Sequence, residues 1–189
     1  MAKKEFPVLE TERLTLRQMK LSDAPALIGF LNDEEVLRTM LMLGTSFPMS
    51  LKDGLKAILT IRMHFLQGSH IHWLICDKST GVPMGSIALS PISRARNSAN
   101  AGFYLGSAFW GRGYMTEAFA AVLDYAFGTL SLNRVSAGHF AGNLASGRVQ
   151  QKCGLQYEGT HRQAFLKDGQ YIDEVMYAIT KEDWSENHA

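Results

Sequence analysis

The sequence lacks an excess of either charge and lacks long apolar runs. Its 189 residues carry 19 basic and 18 acidic side chains. This balance gives no support to a protein that binds nucleic acid or a membrane surface. No apolar run approaches the length of a membrane span, and the lysines near the N-terminus are not followed by the apolar segment of a signal peptide. We therefore expect a cytoplasmic protein with no nucleic-acid or membrane partner.

Cysteine is also scarce, and histidine forms no spaced cluster. Cys76 and Cys153 lie far apart, each within an apolar pattern, which excludes a disulfide framework and indicates a reducing compartment. His70 and His72 could share a strand face, but two ligands do not make a metal site. No histidine pattern pairs with Cys153, so we expect neither a metal ion nor a cysteine nucleophile.

The chain does have 46% apolar residues, and its length suits a single domain, which we expect to span residues 1–189. The pattern predicts a first strand at 14–17, short helices near 24–31 and from 33, and a longer helix at 51–67. It then predicts a mixed α/β order, in which a mostly antiparallel sheet is followed by β–α–β–α–β–β. The expected later strands are 70–77, 83–92, 101–107, 133–140, 155–166 and 170–180, and the expected later helices are 116–127 and 144–153.

A glycine-rich turn stands between a strand and a helix in "GSAFWGRGYMTEAFAAVLDYAF", which runs from Gly106 to Phe127. The first N–H groups of a helix have no partner within the helix, and the helix dipole adds partial positive charge there. Gly111 and Gly113 allow backbone N–H groups to approach a phosphate without an intervening Cβ. Arg112 can add a charged donor, so the turn predicts an anion-binding site.

Three phosphate-binding motifs compete for this turn, beside the alternative that the glycines only shape a turn. A P-loop requires Lys and Ser or Thr where the chain has Arg112 and Gly113. A dinucleotide fingerprint requires a third glycine where the chain has Thr116, and it opens a parallel sheet, whereas this turn comes late. The acyl-CoA pyrophosphate loop, Q/R-x-x-G-x-G/A at the junction of a strand and a helix, fits best.

Four segments, taken in order, resemble one protein family. They are "ETERLTLR" at 10–17, "FWGRGYMTEAF" at 109–119, "NLASGRVQQKCGLQYEG" at 143–159 and "LKDGQYIDEVMYAI" at 166–179. Together they are similar to the GNAT superfamily of N-acetyltransferases, in its ribosomal-protein (RimJ/RimL-type) branch. The resemblance covers nearly the whole chain. It implies a GNAT fold, in which a central, mostly antiparallel sheet is splayed between its fourth and fifth strands and flanked by helices.

The resemblance also implies acetyl-CoA as co-substrate and a loop that holds its pyrophosphate. Trp110 stands where Gln or Arg is common in the superfamily, and Met115 where Gly or Ala is usual. The implied loop residues are Trp110, Gly111, Arg112, Gly113, Tyr114, Met115 and Thr116.

Further site residues follow from the same resemblance. The backbone of Phe103, Tyr104 and Leu105 would bind the pantetheine arm and the thioester, although these residues also suit a core strand. Asn143 would contact the cofactor or the amine, beside the ordinary role of a helix N-cap. Ser146 would give a proton to the departing thiolate.

A general base is harder to assign. Some members of the branch carry a carboxylate where this chain has Asn100 or Phe165. The remaining candidate bases are Glu174, Asp173, Glu34 and His72. Each of these four side chains also suits an ordinary surface or hydrogen-bonding role, and ordered water can serve as the base instead.

We therefore expect an N-acetyltransferase that moves an acetyl group from acetyl-CoA to a primary amine by direct attack, acting as a monomer or homodimer. The best acceptor by analogy is a protein N-terminal α-amine, such as Ala or Ser of a ribosomal protein. Small amines, including polyamines, amino acids and drugs, are the alternative acceptors. A non-catalytic acyl-CoA-binding module and a phosphate-binding domain without CoA specificity are the rival interpretations.

Overall fold

The computed structural model describes residues 5–40 and 47–186 of the chain. Their strands form a single sheet in the order β1-β2-β3-β4-β5-β6-β8-β7. The strands are β1 Leu9–Glu10, β2 Leu14–Gln18, β3 Ile71–Asp77, β4 Pro83–Ser93, β5 Ser98–Leu105, β6 Arg134–Phe140, β7 Gln156–Lys167 and β8 Gln170–Thr180. The helices are α1 Ala24–Leu31, α2 Glu34–Thr39, α3 Leu51–Gln67, α4 Tyr114–Asp124, α5 Leu144–Lys152 and α6 Lys181–Glu186.

The expected mixed architecture is confirmed, with several local differences. The two-residue strand β1 precedes the first expected strand, so the expected fourth and fifth strands are β5 and β6. Residues 98–100 were predicted as a polar connection but begin β5, because they pair with β6 as well as with β4. Helix α4 begins at Tyr114, two residues before the predicted start. A single domain over residues 1–189 stays a prediction.

Two apolar clusters cover the two faces of the sheet. Successive residues of a strand point to opposite faces, and β3 supplies both clusters. Trp73 and Ile75 pack with Phe119 of α4 on one face, while Leu74 lies with Ile58 of α3 on the other. Burial of each such large side chain contributes about 1.5–3 kcal/mol. The continuous apolar run of β3 follows from this position between two helical layers.

The sheet divides between β5 and β6. These parallel strands pair only through residues 98–100 with 134–136. Beyond Asn100, β5 continues against β4 as far as Leu105, while β6 continues against β8 as far as Phe140. The facing edges therefore lack a shared ladder, and their backbone groups are open to other partners. Helices α4 and α5 both begin beyond the carboxyl ends of these strands, where α/β proteins bind ligands.

Candidate active site

A cleft of about 510 Å³ lies where β5 and β6 diverge. It is walled by both strands and by the first turns of α4 and α5, and Thr39 and Met40 at the end of α2 lie along it. Among the residues predicted to bind the cofactor or donate the proton, only Arg112 is not part of its lining. The predicted residues that line it are Phe103, Tyr104, Leu105, Trp110, Gly111, Gly113, Tyr114, Met115, Thr116, Asn143 and Ser146.

Backbone conformation explains the two glycines of the loop. Gly111 has φ +74° and Gly113 has φ +78°, a region that costs an L-residue with a side chain about 1–2 kcal/mol. A Cβ on Gly111 would have no atom within 4 Å, so crowding inside the protein is not the reason for glycine there. Gly113 precedes Tyr114, the first residue of α4. The start of α4, where the first N–H groups have no partner within the helix, therefore borders the cleft.

Arg13, which lies 99 positions before Arg112 in the sequence, contacts and stabilises this loop. Its Nη1 donates to the carbonyl oxygen of Arg112 at 3.1 Å, and its Nε donates to Glu117 Oε2 at 2.6 Å. Its guanidinium lies 4.6 Å from the ring centroid of Tyr114. Burial opposes ionisation of Glu117, but hydrogen bonds from Thr11 and Arg13 hold its pKa below the usual range. The segment "ETERLTLR" contributes to the family resemblance, but no role was predicted for Arg13 from the sequence.

A second contact ties the loop to β5. The indole Nε1–H of Trp110 donates to the carbonyl oxygen of Leu105 at 2.8 Å. This gives a structural function to the residue that departs from the common Gln or Arg. Phe103 packs on Phe119 with ring centroids 5.4 Å apart, so its side chain is part of the core while its backbone borders the cleft.

The start of α5 presents two polar side chains to the cleft. Asn143 Oδ1 accepts a hydrogen bond from the Ser146 backbone N–H at 3.1 Å, so the helix-cap role of Asn143 is confirmed. Its Nδ2 donates to the Thr39 carbonyl oxygen at 3.5 Å, so the second N–H of the amide is the one that could contact a ligand. Within the described ranges, the Ser146 hydroxyl has no hydrogen-bond partner.

Of the four candidate bases, the structure brings only Glu174 into the cleft. Asn100 and Phe165, where a carboxylate was sought, line the cleft as well. Asp173 Oδ1 instead accepts a hydrogen bond from the Gln163 backbone N–H at 2.7 Å. Glu34 begins α2 outside the lining. His72 is half-buried on β3, and desolvation there lowers its pKa to about 4.

Three titratable residues of the lining were not anticipated from the sequence. His139 Nδ1 lies 2.9 Å from Gln150 Oε1, and burial lowers the pKa of this histidine. Arg148 and Lys152 are four residues apart and therefore share a face of α5, and both border the cleft. The i, i+4 spacing of these two cations in "NLASGRVQQKC" was a signal that sequence reasoning could have used.

The part of the chain that the structure describes contains no group of three or more His, Cys, Asp or Glu residues placed to hold a metal ion. In the same residues, no helix is both long enough and apolar enough to span a membrane.

A sheet divided between two parallel strands, with a glycine turn and a helix start at the mouth of the division, is the arrangement that the resemblance to acyl-CoA-dependent transferases implied. Residues 13–156 match the acetyltransferase (GNAT) domain family. The chain is 31% identical over 176 residues to the uncharacterized N-acetyltransferase YoaA of Bacillus subtilis, covering 93% of this chain and 98% of that one. The chain belongs to the GNAT family and is an acetyl-CoA-dependent N-acetyltransferase.

Two further similarities concern ribosomal-protein acetyltransferases. The [ribosomal protein uS5]-alanine N-acetyltransferase of Escherichia coli is 29% identical over 120 residues, which cover 63% of this chain and 62% of that one. Mycobacterium smegmatis RimJ, solved in complex with CoA-disulfide, matches with a TM-score of 0.83 and 25% identity over 90% of this chain and 83% of that one. The predicted GNAT fold with its splayed sheet is thereby confirmed.

Proposed function

We propose that the acceptor is the N-terminal α-amine of a protein, with Ala or Ser first and a ribosomal protein as the leading substrate class. Two observations support this acceptor. One is the similarity to ribosomal-protein acetyltransferases of named substrate. The other, which carries the proposal, is the charge of the cleft.

Glu174 is the only acidic residue among the described residues that line the cleft. The two places where some members of the branch carry a carboxylate hold the uncharged side chains of Asn100 and Phe165 in this chain. A polyamine has several ammonium groups, and each one that enters a cleft needs a compensating anion. A single carboxylate suits an acceptor that brings one cation, as a peptide N-terminus does when its next residues are uncharged.

The chemistry of amines favours the α-amine over lysine. An unperturbed α-amine has a pKa near 8 and a lysine amine near 10.4. At neutral pH roughly a tenth of α-amines are already neutral, against well under a thousandth of lysine amines. A lysine acceptor must overcome this difference of about two decades through additional desolvation or charge. The cleft offers one carboxylate for that task.

The roles of the cleft residues follow from their positions. The N–H groups of Gly111, Gly113 and the first turn of α4 would bind the pyrophosphate, with Arg112, Tyr114, Met115 and Thr116 beside it. The backbone edge at Phe103, Tyr104 and Leu105, on which the Leu105 carbonyl oxygen already accepts the Trp110 indole N–H, would hold the pantetheine arm and polarise the thioester carbonyl. The side chains of Arg148 and Lys152 would pair with the phosphate charge of CoA that the loop does not neutralise.

Acetyl transfer would then occur by direct attack of the amine on the thioester carbon. The amide N–H₂ of Asn143 would orient the acceptor or the thioester. The Ser146 hydroxyl would donate a proton to the departing thiolate. Nucleophilic catalysis by Cys153 is disfavoured, since burial raises the pKa of its thiol to about 12 and its Sγ–H points to the Thr116 carbonyl oxygen at 3.5 Å.

An acceptor screen tests this function. Purified protein is incubated with acetyl-CoA and, in separate reactions, peptides that begin with Ala or Ser, the same peptides N-blocked with an internal lysine, spermidine and free amino acids. Thiol release gives the rate, and mass spectrometry identifies the product. We expect kcat/KM to be highest for the free peptide N-termini. A higher kcat/KM for spermidine or for a free amino acid would refute the acceptor assignment.

A further inference from the structure

We propose that Glu174 is a catalytic residue of this enzyme, which binds the acceptor as an ammonium ion and then removes its proton. The inference rests on the proposed function only in requiring that an amine enters the β5–β6 cleft. The resemblance to the family did not identify a general base. The inference names Glu174 as that base and Gly138 as the residue that provides space for its carboxylate.

The pairing of β6 and β8 places Glu174 at the division of the sheet. Glu174 lies opposite Phe140, the last residue of β6, in the antiparallel register. Directly paired residues project from the same face of a sheet, and both of these line the cleft. The preceding residue, Asp173, projects from the other face and caps the Gln163 backbone N–H. Alternation along β8 thus sends one of two adjacent carboxylates into the cleft.

Gly138 provides the space that the Glu174 carboxylate occupies. A Cβ built on Gly138 would lie 2.9 Å from Glu174 Cδ and 2.9 Å from Met176 Sδ, both closer than real Cβ contacts allow. Gly138 has no positive φ, so backbone conformation does not require glycine there. The absence of a side chain on β6 therefore allows the carboxylate to lie directly over the strand beside the splay.

The surroundings of Glu174 suit an ammonium ion. Phe140 and Phe165 contact each other with ring centroids 5.9 Å apart, and both line the cleft that Glu174 enters. The Glu174 side chain is 22% exposed. The Lys167 ammonium lies 5.2 Å from the centroid of the Phe140 ring, so this aromatic wall already accommodates one organic cation. Two titratable groups lie near Glu174. His161 of β7 places its Nδ1 3.3 Å from Oε2. His139 of β6 is paired with Val175 and projects from the other face, and the charge of Glu174 raises the pKa of this histidine against the larger effect of burial, which lowers it.

The proton steps balance as follows. The Glu174 carboxylate takes one proton from the bound R–NH₃⁺, which becomes R–NH₂. The nitrogen lone pair forms the C–N bond at the thioester carbon, and the C–S bond then breaks. The thiolate receives a proton from the Ser146 hydroxyl, which regains one from the second proton that the nitrogen loses. The products are the N-acetyl amine and CoA-SH, and Glu174 releases its proton to solvent.

Glu174→Gln tests the role of the charge with little change in shape. Acetyl-CoA with either matched peptide is used, free Ala N-terminus or N-blocked with internal lysine, whichever the wild type acetylates faster. Near neutral pH we expect kcat to fall by about 10²-fold, as for loss of a positioned base, with KM for acetyl-CoA within twofold. The defect should shrink to about tenfold or less as pH rises above the pKa of the amine, because solvent then supplies the neutral amine.

Three further variants separate catalysis from structure. Gly138→Ala should displace the carboxylate and lower kcat by about tenfold, with the same partial recovery at high pH. Asp173→Asn is the matched control and should keep kcat within about twofold of wild type. His161→Gln, measured over the same pH range, identifies any part of the profile that belongs to the histidine.

Calorimetry supplies a readout that needs no turnover. The Ala-start peptide is titrated into the protein loaded with CoA, and Glu174→Gln should weaken binding of the protonated amine by about tenfold. An unchanged kcat together with unchanged peptide affinity would overturn the role of Glu174, as would a defect that is constant across pH. If lysine is the faster acceptor but Glu174→Gln still shows the pH-dependent defect, the proposed α-amine substrate fails while this inference holds.

Discussion

The guanidinium of Arg13 donates a hydrogen bond to the carbonyl oxygen of Arg112, a residue 99 positions later in the chain, at 3.1 Å. The same guanidinium is paired with Glu117 in the first turn of α4. Arg13 therefore holds both sides of the glycine turn without occupying the cleft. Through this contact the connection between β1 and β2 supports the loop that we propose binds the CoA pyrophosphate.

Loss of this brace should affect the use of acetyl-CoA more than the chemical step. For Arg13→Ala we expect KM for acetyl-CoA to rise by about tenfold, because the loop loses a charge-assisted hydrogen bond and becomes less ordered. The value of kcat should change by less than about twofold. Arg134→Ala, which removes an exposed pair with Glu158, is the matched control. Equal effects of the two variants on KM would contradict the role of Arg13.

Gly113→Ala should weaken CoA binding and also destabilise the fold. At φ +78° the alanine side chain costs about 1–2 kcal/mol, and relaxation of the turn moves the N–H groups at the start of α4. Calorimetry with CoA and a urea unfolding curve measure the two effects. Gly29→Ala, in α1 with no atom within 4 Å of the new Cβ, should leave CoA affinity unchanged. Unaltered affinity in Gly113→Ala would exclude this turn as the phosphate site.

Ser146→Ala should lower kcat by about 10²-fold, since it removes the proposed proton donor to the thiolate. The backbone N–H of residue 146 and its bond to Asn143 Oδ1 are retained, so the melting temperature should not change. Asn143→Ala removes the cap and should cost about 1 kcal/mol of stability besides any kinetic effect. A Ser146→Ala enzyme with wild-type kcat would leave the serine a helix-start residue only.

The fold should lose stability in acid because His72 must become charged. Its pKa of about 4 in the folded protein lies below the value near 6.5 of an unfolded chain. As pH falls, the unfolded state therefore binds more protons than the folded state. The contribution of the neutral His72 to stability is fully present above about pH 6.5 and declines towards pH 4. Between about pH 7 and about pH 5 we expect a loss of about 2 kcal/mol from this residue. His72→Leu should flatten this part of the curve of urea midpoint against pH, and an unchanged slope would contradict the assignment.

Local chemistry made much of the fold predictable. Helix α3 was expected at 51–67 and has those bounds, because Ser50 and Asp53 form a capping box and Gly68 ends the helix in the left-handed conformation. The glycine turn was recognised for a similar reason, since its function depends on a few adjacent residues. The loop residues and the two residues at the start of α5 accordingly lie together in the cleft, apart from the side chain of Arg112.

The features that were not predicted depend on strand register and on contacts between residues distant in sequence. No local pattern shows that Glu174 rather than Asp173 enters the cleft, because this follows from the pairing of β8 with β6. The fit of Gly138 to Glu174 and the bond from Arg13 to Arg112 join segments that only the folded sheet brings together. Strand β5 begins three residues before its predicted start, at Ser98, since its first residues are held by neighbours on both sides.

The most direct test of the account is the position of the acetyl group on one peptide that carries both kinds of amine. A peptide with a free N-terminal Ala and one internal lysine is incubated with the enzyme and acetyl-CoA, and fragmentation by mass spectrometry locates the product. We predict acetylation of the α-amine, at a rate that exceeds lysine acetylation by at least about tenfold near neutral pH. Acetylation of the lysine first, or of neither amine, would contradict the assignment of a protein N-terminus as the acceptor.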